Sequence, residues 1–409
     1  MAKIINEKID CNLLVREFEK IMQLKNGQVK FEAFRSDDLI VILKSALVFI
    51  NDFPDCEKRG ILEKSLFSWG RKGKFNFKNL MDEINYHENI FLNLPKIKYK
   101  MVTSISINYS KYFKPIRSTN FAVYFYSKTP SKFDQSEIIK QLKYSNRIIK
   151  PLENSSVIVT TEGRSVYEAV EKAISFFELI RGIWNFYNNR FTYRRIVSGK
   201  QIPVNTILLG PFHTLHEPEG KLAITDYWYE ILHSNETKAV SIAKNFPFIK
   251  EQEKIVRKRL ENINYGAELK KVFIRYTNAL DIIDFSTSIV NLWGILEYLT
   301  NTTDGRYDKT ISRTAFLYHE HKFVKQILEN LRVVRNKIVH TSSRDDTSEL
   351  LVYQLKEIVE NMILFHLFNP YKFSSVEEVG NFLDLPKNSN ALRKKYKIIT
   401  AGLKFKKLR

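Results

Sequence analysis

Beyond Pro247 the apolar residues recur at intervals of three and four almost without interruption for some 120 residues, the spacing of one face of an α-helix. The pattern breaks only briefly, and predicts helices over 248–264, 268–280, 284–300, 310–340, with a break near 319–321, and 347–368. Short connections between helices of this length favour antiparallel neighbours, so a helical bundle is expected from about residue 245.

The chain before that point is mixed. Residues 1–95 read mostly helical, with 37–50 dense in apolar side chains behind two acids. Residues 96–128 are rich in Val, Ile, Thr, Tyr and Phe and partly alternate, as strands do. A helix is expected near 134–147 and a short strand at 156–160. A long helix then follows, with Val166, Ala169, Val170, Ala173, Phe176, Phe177, Ile180, Ile183 and Trp184 on one face. Further strands are expected at 191–197 and 203–209, the latter closed by Gly210-Pro211. The fold class is therefore α+β: a mixed α/β N-terminal module (1–244), an all-α bundle (245–372) and a basic C-terminal extension (373–409).

Composition narrows the partners. The chain carries 65 Lys and Arg against 45 Asp and Glu, a formal charge of +20. Residues 71–150 hold 16 basic and 5 acidic residues, 387–409 hold nine basic and none acidic, and 245–386 hold 19 of each sign. Clustered Lys and Arg neutralise phosphates, so a polyanion such as RNA or DNA is the leading partner class, with a solvated surface as the plain alternative. In the C-terminal extension Tyr396 and Phe405 sit among lysines, as in an RNA-binding tail; a basic helix or strand docked on the body is the competing reading. The first ten residues carry charges where a leader would need an apolar core, and no run approaches about 18 uncharged apolar residues, so a cytoplasmic protein without a membrane partner is expected. Cys11 and Cys56 are too few for a disulfide framework or a Cys-based zinc site.

No phosphate-cradling glycine loop and no Gly-x-Ser-x-Gly elbow is present, and no cofactor or metal is expected. His213-Thr214-Leu215-His216-Glu217 lies between Gly210-Pro211 and Pro218, which predicts a loop with a structural role. A His-Glu-x-x-His zinc site would require a helix there.

The most informative segment is Leu331-Arg332-Val333-Val334-Arg335-Asn336-Lys337-Ile338-Val339-His340. With 21 Arg and 8 His in 409 residues, chance alone supplies about 0.4 matches to Arg-x4-His, and Arg313 to His319 is a near copy in which Thr replaces Asn. Context distinguishes the two. The Arg335 motif closes a strongly apolar helix, a polar loop follows, and Leu292-Trp293-Gly294-Ile295-Leu296-Glu297 lies some forty residues upstream.

This arrangement resembles the HEPN superfamily, all-α domains whose Arg-Asn-x-x-x-His motif ends the third principal helix. More narrowly it is similar to the Apea-like HEPN group of bacterial and phage-defence proteins. The likeness covers residues 250–370 and, more faintly, 155–235. It implies a metal-independent endoribonuclease acting as a homodimer, with both copies of the motif in one interfacial cleft. A toxin-like role in anti-phage defence or abortive infection is implied too, under a phage-derived activator or an antitoxin.

The residues suit that chemistry. Attack by an RNA 2′-hydroxyl needs proton transfer and positive charge on the phosphate oxygens; His340 suits the first and Arg335 the second. Residues five apart on an α-helix diverge by about 140°, so Arg335 and His340 of one chain meet only if the helix tightens or ends, and a second chain removes the difficulty. Asn336 shares a face with His340 and is assigned to orient its imidazole, Arg332 and Lys337 to bind substrate, and Glu297 to support Arg335. Three alternatives stay open: Arg335 and His340 as cations at a helix C-terminus, a non-catalytic RNA-binding or dimerising regulator, and a subunit modified by a partner nucleotidyltransferase.

Overall fold

The computed structural model describes residues 2–4, 8–51, 53–111, 113–136, 140, 155–190, 202–226, 228–229, 240–242, 244–341 and 348–407. The helix expected near 134–147 lies largely outside the described residues, and the strand expected at 191–197 entirely so.

The first unit is helical. Strand β1 (Lys3–Ile4), α1 (Cys11–Ile21), a hairpin of β2 (Met22–Lys25) and β3 (Gln28–Phe31), α2 (Ala33–Ala46), β4 (Leu47–Val48), α3 (Asp55–Lys72) and α4 (Phe77–Leu92) enclose Phe18, Leu43, Leu62, Trp69, Leu80 and Ile84. Asn26 and Gly27 turn the hairpin with positive φ, and Gly73 ends α3 in the left-handed region.

An antiparallel sheet follows, built from β5 (Ile97–Ile105), β6 (Ile116–Arg117), β7 (Ala122–Tyr126), β8 (Ser155–Gly163), β9 (Phe212–His216) and β10 (Trp228–Tyr229) in the order β10-β9-β5-β8-β7-β6. Its spine is the nine-residue pairing of β5 with β8, from Ile97 opposite Gly163 to Ile105 opposite Ser155. Two expectations are corrected here. Residues 203–209 form no strand beyond a single bridge from Leu209 to Ile105, and the segment expected as a loop around His213 and His216 is β9.

Helix α5 (Val166–Asn189) explains the first correction. Ala169, Val170, Ala173, Phe177, Ile180 and Trp184 pack on the sheet, while Leu179, Ile183 and Phe186 belong to the core of the bundle, so the helix is buried on two faces. Its polar residues must then find partners internally. Fully buried Arg181 donates to both oxygens of Asp281 (3.0 and 2.7 Å), to Glu178 (2.6 Å) and to the Ile207 carbonyl (3.1 Å). Asn185 exchanges two hydrogen bonds with the Ile207 backbone, and Asn205 donates to Asp281 and the Thr277 carbonyl. Arg181 and Asn185 thus satisfy the Ile207 backbone, while Asn205 N–H donates to the Leu280 carbonyl and the Thr206 carbonyl accepts from Ser106 Oγ, so the segment is held without a strand's ladder. Burial works against the charge of Arg181, but Asp281 and Glu178 outweigh it and hold the proton more firmly than usual.

The bundle comprises α6 (Phe246–Asn262), α7 (Gly266–Asp281), α8 (Phe285–Leu299), α9 (Tyr307–Phe316), α10 (His321–Thr341) and α11 (Ser348–Phe368) around Trp293, Tyr276, Phe273, Leu292, Leu328 and Leu355. The expected helix over 310–340 is two, separated at residues 317–320. Helix α12 (Val376–Leu383) adds Val379 and Leu383 to the same core, which continues past residue 372. Helix α13 (Ser389–Lys407) follows and buries none of its residues. No helix among the described residues is long and apolar enough to cross a membrane.

His366 of α11 donates from Nε2 to the Leu299 carbonyl (2.9 Å) and meets the Tyr265 hydroxyl at Nδ1 (3.3 Å). Burial pushes its pKa down to about 4 from 6.5. The unfolded chain therefore takes up this proton first on acidification, and the stability His366 contributes is present above pH 6.5 and lost as pH falls toward 4. Between pH 6.5 and 5 the loss should be about 2 kcal/mol. Urea unfolding at the two pH values, compared with His366→Leu, should show that much less pH dependence in the variant.

Candidate functional site

Helix α10 carries the motif, and its amphipathic pattern sets which residues face out. Val324, Leu328, Leu331 and Val334 recur at three and four and are buried in the bundle core. That leaves Val333, Asn336, Lys337 and His340 along the opposite side, of which Val333, Lys337 and His340 are exposed. The helix runs unbroken to Thr341, so it neither tightens nor ends between Arg335 and His340. Their roughly 140° separation stands, and one chain does not bring the two together. The polar loop expected at 341–346 lies outside the described residues from 342 on.

Arg335 is half-buried. Its Nη1 donates to the Tyr307 hydroxyl (3.1 Å) and to Asn336 Oδ1 (3.1 Å), and its guanidinium lies 5.2 Å from the centre of the Tyr307 ring. Its Nε is enclosed and meets no acceptor, and no carboxylate among the described residues pairs with it. Asn336 is thus turned toward Arg335 and not toward His340, which differs from the role expected of it.

Glu297 stands one step further back. It accepts from Trp293 Nε1 (2.9 Å), the Trp293 ring meets the Tyr307 ring edge-on at 6.5 Å, and Tyr307 holds Arg335. Support of Arg335 by Glu297 runs through two aromatic rings and not through an ion pair. Arg332 is engaged twice, with Asp308 (2.8 Å) and Glu329 (2.7 Å), so a phosphate at that position must compete with two carboxylates. Lys337 is exposed beside His340.

The near copy at Arg313 behaves in the opposite way. Arg313 is buried, binds Asp384 through Nε and Nη2 (2.8 and 2.6 Å), and donates to the Thr300 and Asn301 carbonyls (2.6 and 3.0 Å). It clamps the end of α8 to the residue after α12, with four of its five N–H donors used and its charge neutralised by Asp384.

Tyr307 and Asp308 are the residues sequence reasoning missed. They open α9 three residues before the expected helix start, and no spacing rule connects them with a motif 28 residues on.

The paired histidines of β9 serve the fold. His213 and His216 are both buried; Thr103 Oγ1 lies 2.7 Å from His213 Nδ1, and His216 bonds Thr214 (2.9 Å) and the Gly220 carbonyl (2.9 Å). Burial lowers the pKa of His216. Among the described residues no group of three or more His, Cys, Asp and Glu is placed to hold a metal ion.

No family model, curated protein or solved structure matches this chain.

Proposed function

We propose that the protein is a HEPN-type endoribonuclease that cleaves RNA through its own 2′-hydroxyl without a metal, from a homodimer in which Arg335 of one copy and His340 of the other face one phosphate. The observation that carries this reading is the state of Arg335: a half-buried guanidinium, held in place by neutral partners, with no carboxylate among the described residues to neutralise it and an enclosed Nε that meets no acceptor among them. Such a group gains most from an anion, and a phosphodiester offers the bidentate match.

His340 supplies the proton-transferring group, exposed on the same helix and turned away from Arg335. Exposed Val333 lies on the His340 side of the helix and exposed Val339 on the Arg335 side, which gives a second copy apolar surface to cover at the motif. Asn336 orients Arg335 in this arrangement, and Lys337 and Arg332 bind the flanking backbone. A toxin-like role in anti-phage defence, under an activator or antitoxin, follows from the sequence resemblance alone.

The test is to incubate the full chain with total cellular RNA in excess EDTA and to analyse the new ends. Cleavage leaving 2′,3′-cyclic phosphate or 3′-phosphate ends is expected. RNA binding without cleavage, by a protein whose expression does not arrest growth, would instead identify a non-catalytic regulator.

A further inference from the structure

Helix α13 is the part of the molecule least explained by packing. Its nineteen residues bury nothing, and Arg393, Lys394, Lys395, Lys397, Lys404, Lys406 and Lys407 are opposed by no acid along its length. Its base is fixed: Lys387 donates to the Ala315 carbonyl (2.8 Å), Asn388 caps the first turn, and Asp384 just before is gripped by Arg313. Beyond that anchor every residue of the helix is exposed except half-buried Thr400.

Its side chains are sorted. At about 100° per residue, Leu392, Tyr396, Ile399 and Leu403 fall within an arc of about 60°. All four are exposed, by 40, 70, 52 and 60%. Cations flank that stripe on both sides, Lys395 and Lys406 on one and Arg393, Lys404 and Lys407 on the other, while Ile398 and Phe405 lie beyond the first pair. Leu385, Leu392, Tyr396 and Ile399, with the stems of Arg393 and Lys395, line a groove of about 470 Å³ along the stripe.

Three occupants are conceivable, and charge and shape separate them. A second copy of α13 would cover the stripe but double an uncompensated positive charge. RNA would neutralise the charge, but Tyr396 and Phe405 are nine residues apart, on opposite sides of the helix, and cannot stack on one strand. The stripe itself is mainly aliphatic and offers bases little. An anionic lipid surface satisfies both features, since acyl chains take up the aliphatic stripe while the flanking lysines reach headgroup phosphates.

We propose that α13 lies flat on anionic lipid bilayers and tethers the protein to them. The expectation of no membrane partner rested on the lack of a spanning segment, and a helix at the interface needs none. The proposal stands independently of whether the bundle cuts RNA.

The test uses the full chain and sedimentation with vesicles of phosphatidylcholine, alone or with about one-third phosphatidylglycerol. One variant combines Leu392→Ser, Ile399→Ser and Leu403→Ser, and a second combines Lys395→Glu, Lys404→Glu and Lys406→Glu. Neither touches the core, and unchanged thermal unfolding checks this. Wild type should bind only the anionic vesicles, and each variant should lose binding at least about tenfold. The proposal is overturned if the serine variant binds vesicles as wild type does. It is equally overturned if wild type ignores the anionic vesicles, and dependence of labelled-RNA binding or of a concentration-dependent dimer on α13 would then identify the occupant as RNA or a second copy.

Discussion

Replacing His340 by Ala is expected to lower RNA cleavage about 10³-fold while leaving RNA affinity within about twofold, because general acid–base catalysis contributes roughly 10² to 10⁴ and the imidazole adds little to ground-state binding. The side chain is exposed on the last turn of α10 and lies outside the core, so the variant should fold as wild type does. Arg335→Ala should differ in kind. It removes the cation that would meet the phosphate, and should therefore weaken binding as well as cleavage.

The two variants together test the composite cleft. Helix α10 stays regular through both positions, so Arg335 and His340 of one chain point about 140° apart. If each cleft takes its Arg from one chain and its His from the other, a heterodimer of Arg335→Ala with His340→Ala contains one fully intact site. Co-expression of the two variants should then restore about one-quarter of wild-type activity, since half of randomly formed dimers are mixed and each has one working site of two. A site complete within one chain would give no recovery. Recovery read by gel analysis of a defined RNA, with each variant inactive alone, separates these outcomes.

What the sequence made legible follows from which physical signal each element carries. The helices of the bundle were readable because their cores repeat every three to four residues, as Val324, Leu328, Leu331 and Val334 do on α10. Helix α5 was readable as a helix, but the sheet-facing residues Val170, Phe177 and Trp184 hid that Leu179 and Phe186 bury a second face. Residues 203–209 look like a strand because they are apolar. Their backbone is held instead by scattered partners far away in sequence, the side chains of Arg181 and Asn185 at Ile207, Ser106 at Thr206 and Leu208, and the Leu280 carbonyl at Asn205. Strand β9 was obscured by its brevity and by two histidines between turn-forming residues. At the site, the Arg-to-His spacing was legible and separable from its near copy by context. The Tyr307 and Trp293 relay was not, since it depends on how α9 and α8 pack beneath α10.

The largest effect on stability is expected where α5 meets α7. Arg181 is fully buried and neutralises Asp281 and Glu178, themselves buried, so Arg181→Leu strands two carboxylates in the interior. Removing one partner of such a cluster costs about 3–5 kcal/mol, a large share of a typical stability of about 5–15 kcal/mol. Asp281→Asn should cost less, because Glu178 still accompanies the guanidinium and the amide can keep the hydrogen bond from Asn205 or Arg181. The pH dependence identifies the cause. In Arg181→Leu burial opposes the charge of both stranded carboxylates, and taking up a proton removes that charge. Their penalty is complete while both are ionised and shrinks as acid protonates them. Urea unfolding should therefore show the gap between wild type and Arg181→Leu narrowing from pH 7 to pH 5, where a simple packing defect would leave it constant. Because the same guanidinium holds the Ile207 carbonyl, loss of this cluster should also loosen the 205–207 segment, which proteolysis at neutral pH would register as new cleavage there and not within α10.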